Sequence, residues 1–461
     1  MSEKGTYSEL RRNTLIIGIS NIGCKAIAFI LAPLYSFYLT TSQYGTMDLI
    51  TTTVSLILPL YCLDIYEATF RFSSDAEYDK RKILTSSLIV CLPSLVLSII
   101  IFVISLFIFH DSYLINYTIL FVVFNTLISI LSQYARGIGK MRVFAFTGII
   151  NSIVMLLTSL LFLIILKLEL KGWLISFLFS QISTVIYLCI RCNIFHCVKR
   201  EYIDKNYIRT FVMFCIPLIP TAAMWWVMNA SDRYMILFFM STSANGVYSV
   251  ANKIPSLLSI FENVFYQAWQ TTAISKMHDD DRNEFFSNVF NKYFCFLTIG
   301  VVGLLLIGRP LILMIFSIEY SAAWLCFSIL VLSVLFHALA GNLGLLYSVF
   351  KNTKGAFYST VIGAVTNIVL NLIFIPAFGL IGAAVTTLIG YVVTLIYRWF
   401  DVKKFVSLKL NYKQFLFYLS VIAIQLFLYY INTPISYGIR TIILLLILIL
   451  NRELILKILK K

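Results

Sequence analysis

Two lysines, Lys25 and Lys253, stand inside segments of the chain that are otherwise almost wholly apolar. A cation in such surroundings is costly to desolvate, so it either serves a water-filled path or neutralises a buried acid. Lysine would supply a compact charge with three donors, suited to an anionic ligand. The acids form smaller groups. Asp64 and Glu67 lie three apart on one helical face, with Arg71 a turn beyond Glu67. Glu67–Arg71 reads as a structural pair. The deeper Asp64 could pair with Lys25, or carry a coupling proton or Na⁺. Glu262, nine residues after Lys253, points to the opposite side of its helix and suits a contact between lobes. Asp232 and Arg233 adjoin as an outer-gate ion pair or a solvated one, and His337 stands alone as a hydrogen-bonded packing residue. The stretch "CIRCNIFHC" places Cys189, Cys192, His196 and Cys197 at metal-like spacing. No second Cys/His pair lies near it, so it reads as packing, and no metal or cofactor is expected.

The elements that carry these residues follow from composition. Of 461 residues 60% are hydrophobic and only 12% charged, with mean hydropathy +0.90. A soluble protein of this length could not hide so much apolar surface, so the solvent is lipid. The polar N-terminus "MSEKGTYSELRRN" and the long run after it do not form a cleavable signal. At ~20 apolar residues per span, the sequence predicts fourteen transmembrane helices: roughly 14–38, 46–70, 83–109, 114–135, 143–166, 172–190, 208–229, 246–272, 286–308, 321–349, 355–376, 379–397, 414–431 and 437–455. The stretches 230–245 and 309–320 are too short to span and lie at the interface or extend their neighbours.

The net charge of +15 would suggest nucleic acid in a soluble protein; here topology accounts for it. With the N-terminus in the cytoplasm, 29 of the 36 Lys and Arg fall in cytoplasmic segments and five in outer ones, as the positive-inside rule requires. Both termini are then cytoplasmic. No extramembrane stretch is long enough for a domain of its own. Lys25 lies about 16 Å into its span, and Lys253 about 10 Å from the outer end of its own, at 1.5 Å per residue.

The chain also repeats itself. Residues 41–82 set against 242–283 share eight identities, among them Thr41/Thr242, Ser42/Ser243, Gly45/Gly246 and Ser55/Ser256. Both stretches form the outer turn after the first helix of a six-helix unit, and residues 171–188 correspond to 378–397. Six is even, so the two units share one orientation. The expected architecture is an all-α polytopic membrane protein with an N-terminal lobe (1–207), a C-terminal lobe (208–400) and two additional helices (401–461). Pro33, Pro59, Pro217 and Pro220 interrupt helices and offer hinges.

The segments "TSQYG" (41–45), "RGIGKMRVFAF" (136–146) and "STSANGVYSVANKIPSLL" (241–258), in this order and within a twelve-plus-two layout, make the whole chain resemble the polysaccharide (Wzx-type) flippases of the multidrug/oligosaccharidyl-lipid/polysaccharide exporter superfamily. The resemblance implies two six-helix lobes in a V and alternating access. It implies translocation, without catalysis, of undecaprenyl-pyrophosphate-linked oligosaccharide across a bacterial inner membrane for O-antigen or capsule; H⁺ or Na⁺ is the candidate coupling ion. It further implies a polysaccharide polymerase and a chain-length regulator as partners, and no nucleic acid. On that reading Lys25, Lys253 and Asn252 contact the pyrophosphate end, and Trp225 and Trp226 either stack on sugars or sit in lipid. Asp64, Glu67, Asp232, Arg233 and Glu262 are the candidates for ion coupling or gating. Related lipid II flippases also place a cation on the second helix; here Thr52 stands at the repeat mate of Lys253.

Two other readings compete. A cation-coupled multidrug exporter of the same layout would rely on buried acids, and a basic cavity repels cationic drugs. A membrane-embedded glycan-modifying transferase would want acidic pairs in the first outer loop, where "TTSQYGT" has none.

Overall fold

The computed structural model describes residues 3–75, 77–108, 113–277, 279–350, 352–431, 433–453 and 456. Every regular element among them is a helix, as expected of an all-α polytopic membrane protein. Hydrocarbon offers backbone groups no partners, and a helix satisfies its own. The chain divides into two compact units, 1–226 and 227–461.

The first unit holds α1 (Glu3–Tyr38), α2 (Thr41–Tyr61), α3 (Ile65–Ser73), α4 (Lys80–Ile108), α5 (Tyr113–Gly137), α6 (Met141–Ser159), α7 (Glu169–Cys192), the one-turn α8 (Ile194–Cys197), α9 (Lys205–Cys215) and the start of α10 (Ile219–Phe239). "TTSQYG" starts α2 through a capping box: the Thr40 hydroxyl accepts from the Gln43 N–H at 3.3 Å, and the Gln43 side chain accepts from the Thr40 N–H at 3.1 Å. α6 runs into a wide π-turn, Leu160–Ile165, before the chain turns into α7. Gly172 closes that turn, since any Cβ there would meet the Phe162 carbonyl at 2.9 Å. α1 packs on α6, and α7 on both α5 and α6. A core of Ile65, Leu84, Ile130, Leu131, Phe211 and Cys215 joins α3, α4, α5 and α9.

The second unit continues with α11 (Thr242–Lys253), a 3-10 turn (Pro255–Leu257), α12 (Leu258–Ser275), α13 (Arg282–Ile315), α14 (Ala323–Val349), α15 (Thr353–Val402), α16 (Tyr412–Ile431) and α17 (Pro434–Leu450). Ser241 caps α11, accepting from the Ala244 N–H at 3.1 Å, so the repeated motif starts a helix in both units. α14 is the most enclosed helix and packs against α11, α12, α13 and α15. Buried Arg398 on α15 pins it there: its guanidinium donates to the Ala340 carbonyl of α14 and to Ser359 and Thr360. α16 and α17 pack on α13.

Ten helices among the described residues are long and apolar enough to cross a membrane, eleven if the bent pair α2–α3 is one span. The expected fourteen differ at identifiable places. α15 counts once by length, but Gly379 (φ 60°, ψ −136°) breaks it into two helices where the sequence predicts two spans. α17 has only 17 residues. The expected span 246–272 is divided by the 3-10 turn at Pro255 into α11 and α12. The stretch 230–239 continues α10, and 309–315 continues α13, so both extend neighbouring helices.

Candidate functional site

Each unit places one of these ionisable residues at a break in a helix, Asp64 in the first and Lys253 in the second. In the first unit, α2 and α3 meet at 63°. Pro59 removes a helical donor, and Leu63 and Asp64 turn the chain with left-handed φ of 50° and 58°. Such angles cost of order 1 kcal/mol or more at a non-glycine residue and persist only where the surroundings impose them. Freed backbone groups find partners: Ser94 donates to the Tyr61 carbonyl at 2.6 Å, and the Cys215 thiol to the Asp64 carbonyl at 3.4 Å. Asp64 itself is 5% exposed, and its Oδ1 has no hydrogen-bond partner among the described residues.

Neither of the ion pairs that the sequence allows in this unit is seen among the described residues. Lys25 is exposed on α1 and makes no ion pair with Asp64 among the described residues. Asp64 sits in the α2–α3 bend itself, and no spacing rule brings α1 against that break. Arg71 reaches forward along α3 to Asp75 at 3.8 Å rather than back to Glu67, whose cationic neighbour is Arg136 on α5. Arg136 lies 4.1 Å above the Phe70 ring, which holds it beside α3. Lys25 shares its helix face with Asn21, four residues before it. Asn21 lines a cavity of about 150 Å³ with Ser20, Ser132, Phe144, Thr147 and Gly148. The Trp226 indole donates to the Thr52 carbonyl of α2 at 3.2 Å, which makes it a tie within the first unit. The Trp225 side chain lies outside the described residues.

The second unit contains a cavity of about 210 Å³ lined by Asp232, Arg233, Tyr248, Asn252, His337, Thr387 and Tyr391, with serines from α12 and α14. Asp232, 2% exposed, accepts at one oxygen from the Tyr248 hydroxyl (2.7 Å) and the Thr387 hydroxyl (2.8 Å). Its other oxygen has no hydrogen-bond partner among the described residues. Beside it Ser231 and Asn371 both donate to the Asn367 side-chain oxygen at 3.1 Å, and Thr386 donates to Asn371. A buried carboxylate with one open oxygen, held by hydroxyls rather than by a cation, can take up a proton or a small cation.

Asn252 faces this cavity, and half-buried Lys253 ends α11 where the helix breaks before Pro255. Glu262 pairs inside the unit, where the expectation was a contact between lobes: His337 Nδ1 is 3.1 and 3.2 Å from its two oxygens. The His337 ring meets Tyr391 edge-on at 4.8 Å.

A family model described as "Polysaccharide biosynthesis protein" matches residues 10–271, more than half of the chain. The chain belongs to this family. Among curated relatives, the probable low-salt glycan biosynthesis flippase Agl15 of Haloferax volcanii is 25% identical over 40% of this chain and 39% of its own length. The lipid II flippase MurJ of Thermosipho africanus is 30% identical over 31% of this chain and 32% of its own. The chain thus spans well under half the length of these two relatives in the matches. Among solved structures, the lipid II flippase MurJ in an inward closed conformation aligns with a TM-score of 0.71 and 18% identity, covering 96% of this chain and all of that one. A mutant of the Vibrio cholerae MATE transporter VcmN aligns at 0.59 with 11% identity over 86% of this chain and 97% of its own. The polysaccharide biosynthesis family member therefore has the fold of the MOP superfamily, and it is a multi-pass membrane protein.

Sequence reasoning missed the partners of Asp232. Asn367 and Asn371, four apart in the apolar run "NIVLN", share one helix face and were the available signal. Tyr248 and Thr387 lie 16 and 155 residues from Asp232, with no local pattern to connect them.

Proposed function

We propose that this family member is a flippase that moves an anionic, lipid-linked oligosaccharide across a membrane by alternating access of its two units. The finer reading is an undecaprenyl-pyrophosphate-linked unit crossing a bacterial inner membrane for O-antigen or capsule, handed to a polymerase and chain-length regulator. Membership of the polysaccharide biosynthesis family, matched over residues 10–271, is the observation that carries the proposal. Agl15 and MurJ, named as flippases, support it as partial relatives. The chemistry is consistent with the substrate class. Lys25 in one unit and Lys253 in the other are cations set in apolar helices, and the proposed role of each is to meet the phosphates. Asn252, beside the cavity of the second unit, is the proposed neutral donor. Positive-inside asymmetry supports cytoplasmic termini.

Transport of this kind needs an energy source, and Asp232 is the proposed coupling residue, binding H⁺ or Na⁺ at its open oxygen. The same acid keeps alive a second reading, a cation-coupled multidrug exporter, whose fold VcmN represents. Complementation separates them. Expression in a flippase-null host should restore surface polysaccharide and clear the accumulated lipid-linked precursor. Failure to restore it, combined with resistance to cationic drugs, would favour the exporter.

A further inference from the structure

The second unit carries a pair of cations that neither the cavity nor the coupling site uses. Arg309 on α13 and Arg440 on α17 lie at the boundary where α13 and α16 end and α14 and α17 begin. Arg440 is completely buried, and apart from the adjacent Tyr437 hydroxyl no hydrogen-bond partner reaches its guanidinium among the described residues. Its flanks are aromatic: the guanidinium carbon lies 4.9 Å from the Tyr437 ring centre and 5.3 Å from that of Tyr429. Half-buried Arg309 stacks over Trp324 at 4.0 Å. Tyr429 joins the two halves, with its ring 6.0 Å from Trp324 and its hydroxyl donating to the Trp324 carbonyl at 2.9 Å.

The two guanidiniums thus flank one Trp324–Tyr429 ring pair, and no carboxylate pairs with either among the described residues. Cation–π contact is weaker than the desolvation cost of a buried guanidinium, and two like charges add repulsion. The N-termini of α14 and α17 bring the positive ends of two helix dipoles to the same boundary. The charge excess calls for an anion. Around it Leu313, Met314, Ile435 and Ile439 are exposed, which is the surface of a lipid-facing wall. An anion arriving there comes attached to lipid, and the planar fork of arginine matches the oxygens of a phosphate.

We propose that Arg309 and Arg440 form a binding site for the phosphate of an anionic lipid headgroup at this end of the second unit. The aromatic rings fix the two forks in place, and the headgroup supplies the missing negative charge. The site does not depend on what the protein transports.

The test uses the full chain in nanodiscs of phosphatidylcholine alone or mixed with phosphatidylglycerol, with retained lipid counted by native mass spectrometry. The wild type should retain phosphatidylglycerol in preference to phosphatidylcholine. Arg309→Gln should weaken that retention by roughly tenfold or more, the loss of one charge-assisted contact, and Arg309→Lys should keep part of it. Arg440→Gln should act in the same direction. If it fails to fold, the half-buried Arg309 variants decide alone. Undiminished phosphatidylglycerol retention in a folded Arg309→Gln protein would overturn the site. Displacement of the lipid by inorganic phosphate would overturn the assignment to a lipid headgroup.

Discussion

The two units open the same helix in the same way and break it differently. In both, a hydroxyl cap precedes the repeated Thr-Ser pair, and a glycine (Gly45 or Gly246) is buried just past the first turn. From there they diverge. The helix of the first unit runs 21 residues to a 63° bend that carries an acid, Asp64. That of the second runs only 12 residues, ending on a base, Lys253, before Pro255. Hydroxyls satisfy the freed carbonyls in each case: Ser94 serves Tyr61, and Ser256 serves Lys253 at 2.7 Å. The duplicated part is the entry and cap, which any helix of this fold needs. The break is where each unit places its own charge, and charge at a broken helix is what a transporter uses.

Substitutions can break that comparison. The largest effect is expected at the basic break. Lys253→Ala removes a charge-assisted contact of about 1.5–3 kcal/mol, which is roughly ten- to a hundredfold in substrate affinity. Lys253→Arg should recover part of it, because charge survives while geometry changes. Substrate binding by the purified protein checks both. Next comes Asp232→Asn. It keeps the shape but loses the ion-binding charge, so transport should become insensitive to the H⁺ or Na⁺ gradient while protein levels hold. Transport measured with and without each gradient decides which ion is used, and unchanged dependence on both would remove Asp232 from the coupling role.

How much of this is legible in the sequence follows from range. The cap of α2 lies within four residues, and the bias of Lys and Arg is summed over the chain; both can be read directly. Asp64 and Lys253 are visible as charges in apolar runs. The breaks are only half visible. Pro59 and Pro255 mark them, but the left-handed turn falls at Leu63 and Asp64, neither of which favours it as glycine would. The pairing of Glu262 with His337 joins residues 75 apart on separate helices, so no periodicity announces it. The break between the two expected spans within α15 is legible for the opposite reason: it falls at a glycine, Gly379, between two apolar windows.

Smaller effects sharpen the contrast. Asp64→Asn should preserve the fold, since asparagine tolerates the left-handed region. Leu63→Gly relieves a strained angle and should stabilise the first unit by up to about 1 kcal/mol. Thermal unfolding in detergent measures both, and a destabilising Leu63→Gly would mean that side-chain packing, rather than backbone strain, governs the bend. The smallest expected change is Trp226→Phe, which loses one hydrogen bond to Thr52, about 1 kcal/mol.

The central claim is that the cations at Lys25 and Lys253 hold an anionic lipid-linked glycan. Reconstituted translocation of a labelled polyprenyl-pyrophosphate sugar tests it most directly, with the wild type compared to the Lys25→Ala, Lys253→Ala double variant at equal incorporation. The account predicts that the wild type moves the label and the double variant nearly stops. Equal rates in the two would contradict it and leave both lysines as packing residues.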